Sequence, residues 1–386
     1  MSNVIPLTVL TGFLGSGKTT LLKRLLDSPD LAGTAVIINE FGEVGLDDKI
    51  VEKVDEDAIL LPSGCVCCTV RGDLTRTLQS LFRRSLAGEI PHLRRVVLET
   101  TGLADPTPIV HTLMTDEDTF RVYLLDGIVT TVDGQLGFDQ LDNNFEPAKQ
   151  IAIADRIVIT KADLADASSL RRLEQRVRTL NRTAEIVRSV KGDVDPKRLI
   201  GLGAHEPALS GADPARWLAS DLKPVRDHIE LPGGEADHLC GPGCDHDHHY
   251  HAQDHDHDCG PDCDHPDHAH DTAHAHTHLH GIRSFSLSFG EPLDGNALSA
   301  GLQTLAGAYG DKLLRVKGIV TVKDQPVPFV VHGVQHVFYP PDALADWPKR
   351  LDGQADKVSR FVFIARDLEE ATVRRHLKTF IGEADA

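Results

Sequence analysis

Three stretches of this 386-residue chain carry side chains whose types and spacing suit chemistry. The first is Gly12-Phe-Leu-Gly15-Ser16-Gly17-Lys18-Thr19-Thr20, between an apolar run at Leu7–Leu10 and a helical pattern that begins near Lys18. Successive backbone N–H groups of such a phosphate loop surround a β-phosphate, and the glycines let the backbone come close to the anion. Lys18 then supplies charge to the β/γ oxygens, and the Thr19 hydroxyl is offered to Mg²⁺. The second stretch is Cys65-Val-Cys67-Cys68, which follows the turn signal Pro62-Ser63-Gly64. Three thiols within four residues can give two or three thiolates to one soft or borderline cation. Adjacent thiols bridge each other poorly, so the spacing favours metal over a disulfide. The third is residues 236–280, with 14 of the 21 His, four of the seven Cys and ten Asp, but no Lys or Arg.

Other segments complete a nucleotide site around the loop. Thr160-Lys161-Ala-Asp163 follows the apolar run Ile157–Ile159. An aspartate there can accept from the N1 and N2 donors of guanine, which adenine lacks, while the Lys161 stem packs on the ring. The reading is therefore GTP over ATP. Glu99-Thr-Thr-Gly102 ends another buried run: Glu99 is suited to hold Mg²⁺ through water or to position the attacking water, and Gly102 to present an N–H to the γ-phosphate. Lys18, Thr19 and Glu99 are thus the candidate catalytic residues. Asn39-Glu40-Phe-Gly-Glu43 lies between the second apolar run and the Cys loop, and Glu40 and Glu43 could add oxygen ligands there or contact Mg²⁺. A segment touching both γ-phosphate and metal would make each site's occupancy felt at the other.

Alternating apolar and helical patterns must position these groups. Runs at Leu7–Leu10, Ala35–Ile38, Val96–Leu98, Ile128–Val132 and Ile157–Ile159 predict a mainly parallel sheet covered by helices, an α/β domain over residues 1–205. Leu74, Leu78, Leu81 and Phe82 recur at helical spacing behind Asp73 as N-cap. Residues 206–281 form a linker containing the His/Asp/Cys tract, whose few large apolar residues (Leu239, Tyr250 and Leu279) cannot offset the entropy of ordering it. Within it Cys240-Gly-Pro-Gly-Cys244-Asp-His is echoed by Cys259-Gly-Pro-Asp-Cys263-Asp-His. Residues 282–386 predict a small α+β domain. Its strands fall at Phe285–Phe289, Leu313–Val322, Phe329–Phe338 and Phe361–Ala365, with a helix through Leu298, Leu302 and Leu305 and a last helix capped by Asp367. His332 and His336, four apart in an apolar run, read as structural histidines rather than ligands.

The net charge of −18 argues against a nucleic-acid or anionic-membrane surface, and no apolar run approaches a membrane span. No secretory leader is visible before Gly12, and clustered cysteines fit metal chemistry in a reducing compartment, so the expected location is cytoplasmic. The His tract reads as a metal buffer, with a solvated spacer as the other reading.

Together these residues resemble the CobW-type family of P-loop GTPases, relatives of the nickel-insertion GTPases of urease and hydrogenase maturation. The matching segments are Gly12–Thr20, Asn39-Glu-Phe-Gly-Glu43, Gly64-Cys-Val-Cys-Cys68, Glu99-Thr-Thr-Gly-Leu-Ala-Asp105, Val132-Asp133 and Thr160–Asp163, then Leu314–Gly318, Val331–His336 and Ser359-Arg360 after the linker. The resemblance implies a slow GTPase that carries a divalent metal, Zn²⁺ first and Co²⁺ as an alternative for cobalamin synthesis, to a client metalloprotein; homo-oligomerisation stays open. The ligand set would be Cys65, Cys67, Cys68, Glu40 and Glu43. Thr160 departs from the Asn of the general Asn-Lys-x-Asp form and predicts looser guanine selectivity. Rival readings are a His-rich metal-storage or resistance protein and an ATP-dependent phosphotransferase.

Overall fold

Residue alternation along the strands gives the first sheet two apolar faces. Val9, Ile37, Leu98, Ile128 and Ile157 join one buried cluster, whereas their chain neighbours Leu10, Val36, Val97, Val129 and Val158 join another. The structure is a computed structural model, and it describes residues 4–39, 59–63, 70–202, 280–344, 347–348 and 354–382. The strands are β1 (Ile5–Gly12), β2 (Thr34–Asn39), β3 (Ile59–Ser63), β4 (Arg95–Glu99), β5 (Tyr123–Asp133), β6 (Arg156–Thr160) and β7 (Glu185–Arg188). They form a seven-stranded sheet in the order β3-β2-β4-β1-β5-β6-β7, parallel at every pairing. Near-continuous burial of β1 and β5 is what a parallel sheet covered on both faces requires.

Helix α1 (Lys18–Leu26) covers one face through Leu21, Leu22 and Leu25. Packed with the other face are α2 (Val70–Leu86), α3 (Thr107–Thr115), α6 (Phe145–Ile153) and α7 (Ala167–Leu180), with the short α4 (Glu117–Phe120) and α5 (Gly137–Asn143). The Leu74, Leu78 and Leu81 stripe is buried as its spacing predicts. Asp73 is not the cap: the helix already runs from Val70, one turn upstream. The Pro62-Ser63 pair, read as a turn, closes β3, which among the described residues is an edge strand paired with β2 alone. Proline is better tolerated in an edge strand than in a central one, since an edge strand has one side with no ladder to complete.

The C-terminal sheet is antiparallel. Its strands are β8 (Ile282–Phe289), β9 (Leu313–Val320), β10 (Phe329–Val334), β11 (Val337–Phe338), β12 (Asp342–Ala343) and β13 (Ser359–Arg366), in the order β11-β10-β9-β13-β8, with β12 also on β10. The last strand inserts between β8 and β9, which helix α8 (Gly295–Tyr309) connects. Leu313 and Phe363 face a cluster shared with α8 and α9 (Glu370–Ile381). Their neighbours Leu314 and Ile364 join Ile282, Val334 and Tyr339 in the core of the first sheet. Both sheets therefore belong to one compact unit.

Asp367 does not cap α9. It adopts φ 48°, its N–H donates to the Gly281 carbonyl, and Glu369 takes the cap position. The two histidines also separate. His332 is buried on β10 and stacks on Tyr339 with ring centroids 3.8 Å apart, whereas Gln335 (φ 52°) turns the chain. His336 then lies on the far side of that turn, with Nε2 3.0 Å from Asp311 Oδ1 and Nδ1 3.1 Å from the Ala306 carbonyl. Within 236–280 only His280 is among the described residues; its Nε2 lies 3.1 Å from the Leu141 carbonyl and its ring edge meets Phe145.

Candidate functional site

In a parallel sheet all strand carboxyl ends share one edge, and loops leaving it make the site. β1 ends at Gly12, and α1 starts six residues later, at Lys18, behind Gly17, which caps it at φ 87°. Gly12 is held at φ 145°, where a Cβ would lie 2.2 Å from Thr131 Oγ1 and 2.7 Å from Ser16 Oγ. Only a residue without a side chain fits. The loop is tied down from the neighbouring strands: Ser16 Oγ lies 2.6 Å from Thr131 Oγ1, and Thr160 Oγ1 donates to the Ser16 carbonyl at 2.7 Å and to the Val132 carbonyl at 3.2 Å.

Lys18 is buried and curls under the loop, with Nζ donating to the carbonyls of Gly12 (2.9 Å) and Phe13 (3.2 Å). Its charge is thus stationed beneath the backbone N–H groups that would face a phosphate. Thr19 Oγ1 donates to Glu99 Oε1 at 2.8 Å, which brings together a hydroxyl on α1 and a buried carboxylate at the end of β4. Two hard oxygen donors at hydrogen-bond distance beside a phosphate loop are a donor set that Mg²⁺ accepts. Gly15 in the loop and Thr20 in the first turn of α1 are exposed.

The segment after Glu99 leans on the phosphate loop. A Cβ on Gly102 would fall 2.7 Å from Leu14 N, so the two backbones are in direct contact. Thr100 anchors the segment to β1 through its N–H to the Leu10 carbonyl (2.9 Å) and its hydroxyl to Thr11 Oγ1 (2.8 Å).

On the other side, Lys161 occupies φ 52° at the end of β6 and its Nζ pairs with Asp133 Oδ2 at 2.6 Å. Asp133 is fully buried, and its other oxygen accepts the N–H groups of Gln135 and Leu136, so the lysine stem is fixed along the mouth. Asp163 is exposed two residues on. The sequence reading missed Ser189–Gly192, the loop after β7. The Ser189 carbonyl accepts from Ala162 N at 3.2 Å, and Gly192 approaches α1 so closely that a Cβ would meet the Thr20 carbonyl at 2.9 Å. The signal was the Lys191-Gly192 turn after a strand only four residues long.

Glu40, Glu43, Cys65, Cys67 and Cys68 lie outside the described residues, and among the described residues no cluster of His, Cys, Asp or Glu could hold a metal. Their flanks are described. Asn39 and Ser63, the last residues of β2 and β3, are register partners, and Ile38 pairs with Glu99 on the other side. The chain therefore enters residues 40–43 and residues 65–68 from adjacent strand ends about 4.8 Å apart, on the edge that carries Glu99.

A phosphate loop at the switch of a parallel sheet, with Thr19 and Glu99 beside it, defines a P-loop nucleotide-binding protein of the α/β class. Residues 6–188 match the family model described as CobW/HypB/UreG, nucleotide-binding domain, and residues 282–381 match that of the cobalamin synthesis protein CobW C-terminal domain. The zinc chaperone YjiA of Escherichia coli is 29% identical over 374 residues, 96% of this chain and 97% of that protein. A zinc chaperone CobW of a Sinorhizobium species is 31% identical over 274 residues, 63% of this chain and 70% of that protein. The crystal structure of Zn(II)-bound YjiA GTPase from E. coli matches with a TM-score of 0.61 and 25% identity, covering 98% of this chain and 99% of that one. The chain belongs to the CobW family of GTPases.

Proposed function

We propose that this chain is a GTP-hydrolysing metallochaperone that binds a divalent ion, zinc first, at the Cys65-Val-Cys67-Cys68 loop with Glu40 and Glu43, and passes it to a client metalloprotein. Gly12, Gly15, Ser16, Gly17, Lys18, Thr19 and Thr20 bind the phosphates, and Gly102 donates its N–H to the γ-phosphate. Lys161 and Asp163 bind guanine. Mg²⁺, held by Thr19 and through Glu99, would neutralise charge developing on the β/γ oxygens. Glu99 orients the attacking water. Zinc is cargo here, and the His/Asp/Cys tract of 236–280 raises its local concentration.

The observation that carries the reading is the pairing of Asn39 with Ser63 beside Glu99. The segment bearing Glu40 and Glu43 leaves the sheet from the strand next to the one bearing Glu99, and the segment bearing the cysteines leaves from the strand beyond it. Losing γ-phosphate contacts on hydrolysis would then alter the ligand set, and a tenfold change in metal affinity needs only about 1.4 kcal/mol of differential contact. YjiA and the Sinorhizobium CobW are named zinc chaperones, which favours zinc. The test is Zn²⁺ affinity by chelator competition, with a non-hydrolysable GTP analogue and with GDP. The analogue state should bind at least tenfold tighter, and Cys65, Cys67 and Cys68→Ser together should abolish the difference. Equal affinities in the two states would refute the switch.

A further inference from the structure

Glutamine 150 is 1% exposed, yet it sits at no recognised nucleotide motif. From α6 its Nε2 donates to two backbone carbonyls of the loop after Glu99: Gly102 at 3.2 Å and Ala104 at 3.0 Å. Both partners can only accept, so the carboxamide must present its NH₂ to them, and both its hydrogens are used. The preceding residue grips the same loop: Lys149 Nζ lies 2.6 Å from Asp105 Oδ2. Asp105 in turn accepts from Thr107 N and Oγ1, at the start of α3. The helix itself is anchored to β5, whose Thr130 hydroxyl donates to the Gln150 carbonyl at 2.9 Å.

The loop is thus held on two sides. Thr100 fixes its beginning to β1 and reaches no further into the loop than the Thr101 carbonyl, at 3.2 Å. Beyond it, among the described residues, the Gly102 and Ala104 carbonyls are held from outside the loop by Gln150. The Gly102 backbone is packed against Leu14 of the phosphate loop, so a small displacement of the peptide would move its N–H off a γ-phosphate oxygen. Donors aimed at a reacting phosphate lose much of their effect when displaced by about 1 Å.

We infer that Gln150, assisted by Lys149, is a positioning residue for γ-phosphate recognition: it fixes the Gly102 peptide and acts through it, touching neither nucleotide nor metal. This rests on the reading of Gly102 as a γ-phosphate donor. A purely structural glutamine would serve GDP-bound and GTP-bound protein alike. A positioning glutamine discriminates between them, since only GTP has the group that Gly102 contacts.

The experiment uses the full chain with Mg²⁺, measuring affinity for a fluorescent GDP and for the matching non-hydrolysable GTP analogue. Gln150→Met keeps the volume and removes both donors. It should weaken the analogue tenfold or more while leaving GDP within twofold, and slow single-turnover hydrolysis by a similar factor. Lys149→Met should shift the same ratio in the same direction by a smaller factor, and it keeps the test open if the buried variant fails to fold. Equal weakening of both nucleotides, or an unchanged ratio in both variants, would overturn the inference while wild-type discrimination between the two nucleotides left the Gly102 reading standing. A wild-type chain that does not discriminate would overturn that reading and the inference with it.

Discussion

Replacing Asp155 with asparagine is the sharpest test of how the two sheets are joined. Asp155 lies between α6 and β6, and its Oδ1 is 2.5 Å from Arg315 Nη2 and 3.0 Å from Lys317 Nζ, both on β9. Its Oδ2 accepts the Ile128 N–H at 3.0 Å. Burial alone would raise this carboxyl, but the charge of Arg315, then of Lys317, and the hydrogen bonds outweigh it and bring it from 3.8 down to about 2. That shift is worth about 2 kcal/mol at neutral pH. Because the folded value is the lower one, the contribution is complete above the ordinary carboxyl value and is lost as pH falls towards 2. The asparagine variant keeps the shape and leaves two cations in the interior. Breaking a buried pair in this way costs about 3–5 kcal/mol, which in a chain of this length lowers the melting temperature by roughly 5 °C. Lys317 carries the converse expectation. Burial pushes its amine down, Asp155 pulls it back up and Arg315 pushes it down again. The unfolded chain therefore holds this proton more tightly, and stability rises with pH until the ordinary lysine value is reached. Lys317→Met should then cost little, within about 1 kcal/mol, and should flatten the alkaline rise. Combined with Asp155→Asn, it should recover at least about 1 kcal/mol of the loss. Calorimetry of the full chain at pH 7 and across pH 8–10 reads all three. An Asp155→Asn variant within about 1 kcal/mol of wild type, or a Lys317→Met variant as damaged as it, would refute the reasoning.

Two more substitutions probe the phosphate loop. Gly12→Ala sets a Cβ 2.2 Å from Thr131 Oγ1 at φ 145°, so the loop must move; GDP binding should fall by about a hundredfold or more in equilibrium titration, and an unchanged affinity would contradict the geometry. Thr160→Val keeps the shape but removes the hydroxyl that the Ser16 and Val132 carbonyls receive. It should cost about 1–2 kcal/mol of stability by urea unfolding and weaken GDP several-fold, and a variant as stable and as tight as wild type would show that this tie is idle.

What the sequence made legible was whatever backbone sterics force on it. Gly12, Gly15 and Gly17 announce a loop because each adopts a positive φ that other residues resist. The apolar runs announce strands because a covered parallel sheet needs both faces apolar. Polar residues that act across the fold gave no local sign. Gln150 reads in sequence as an ordinary helical amide, and Asp155 is separated from Arg315 by 160 residues. Thr160 was legible only as a departure from Asn, whereas its hydroxyl ties the phosphate loop to β6. Capping residues were misplaced for a local reason. Asp73 and Asp367 have the chemistry of an N-cap, but the helix over Asp73 already runs from Val70, and Asp367 at φ 48° donates its N–H to the Gly281 carbonyl and leaves the cap position to Glu369.

Residues 149–163 then acquire a common logic. Lys149 and Gln150 hold the loop after Glu99, Asp155 holds the C-terminal sheet, Thr160 holds the Ser16 carbonyl and Lys161 holds Asp133. Between them runs β6, hydrogen-bonded to β5 and β7 on either side and so constrained to move as part of the sheet. A load applied to β9 reaches Asp155 through two charged contacts in a medium with little water to screen them. From Asp155 it has a short covalent route to the restraints on both the phosphate loop and the Gly102 segment.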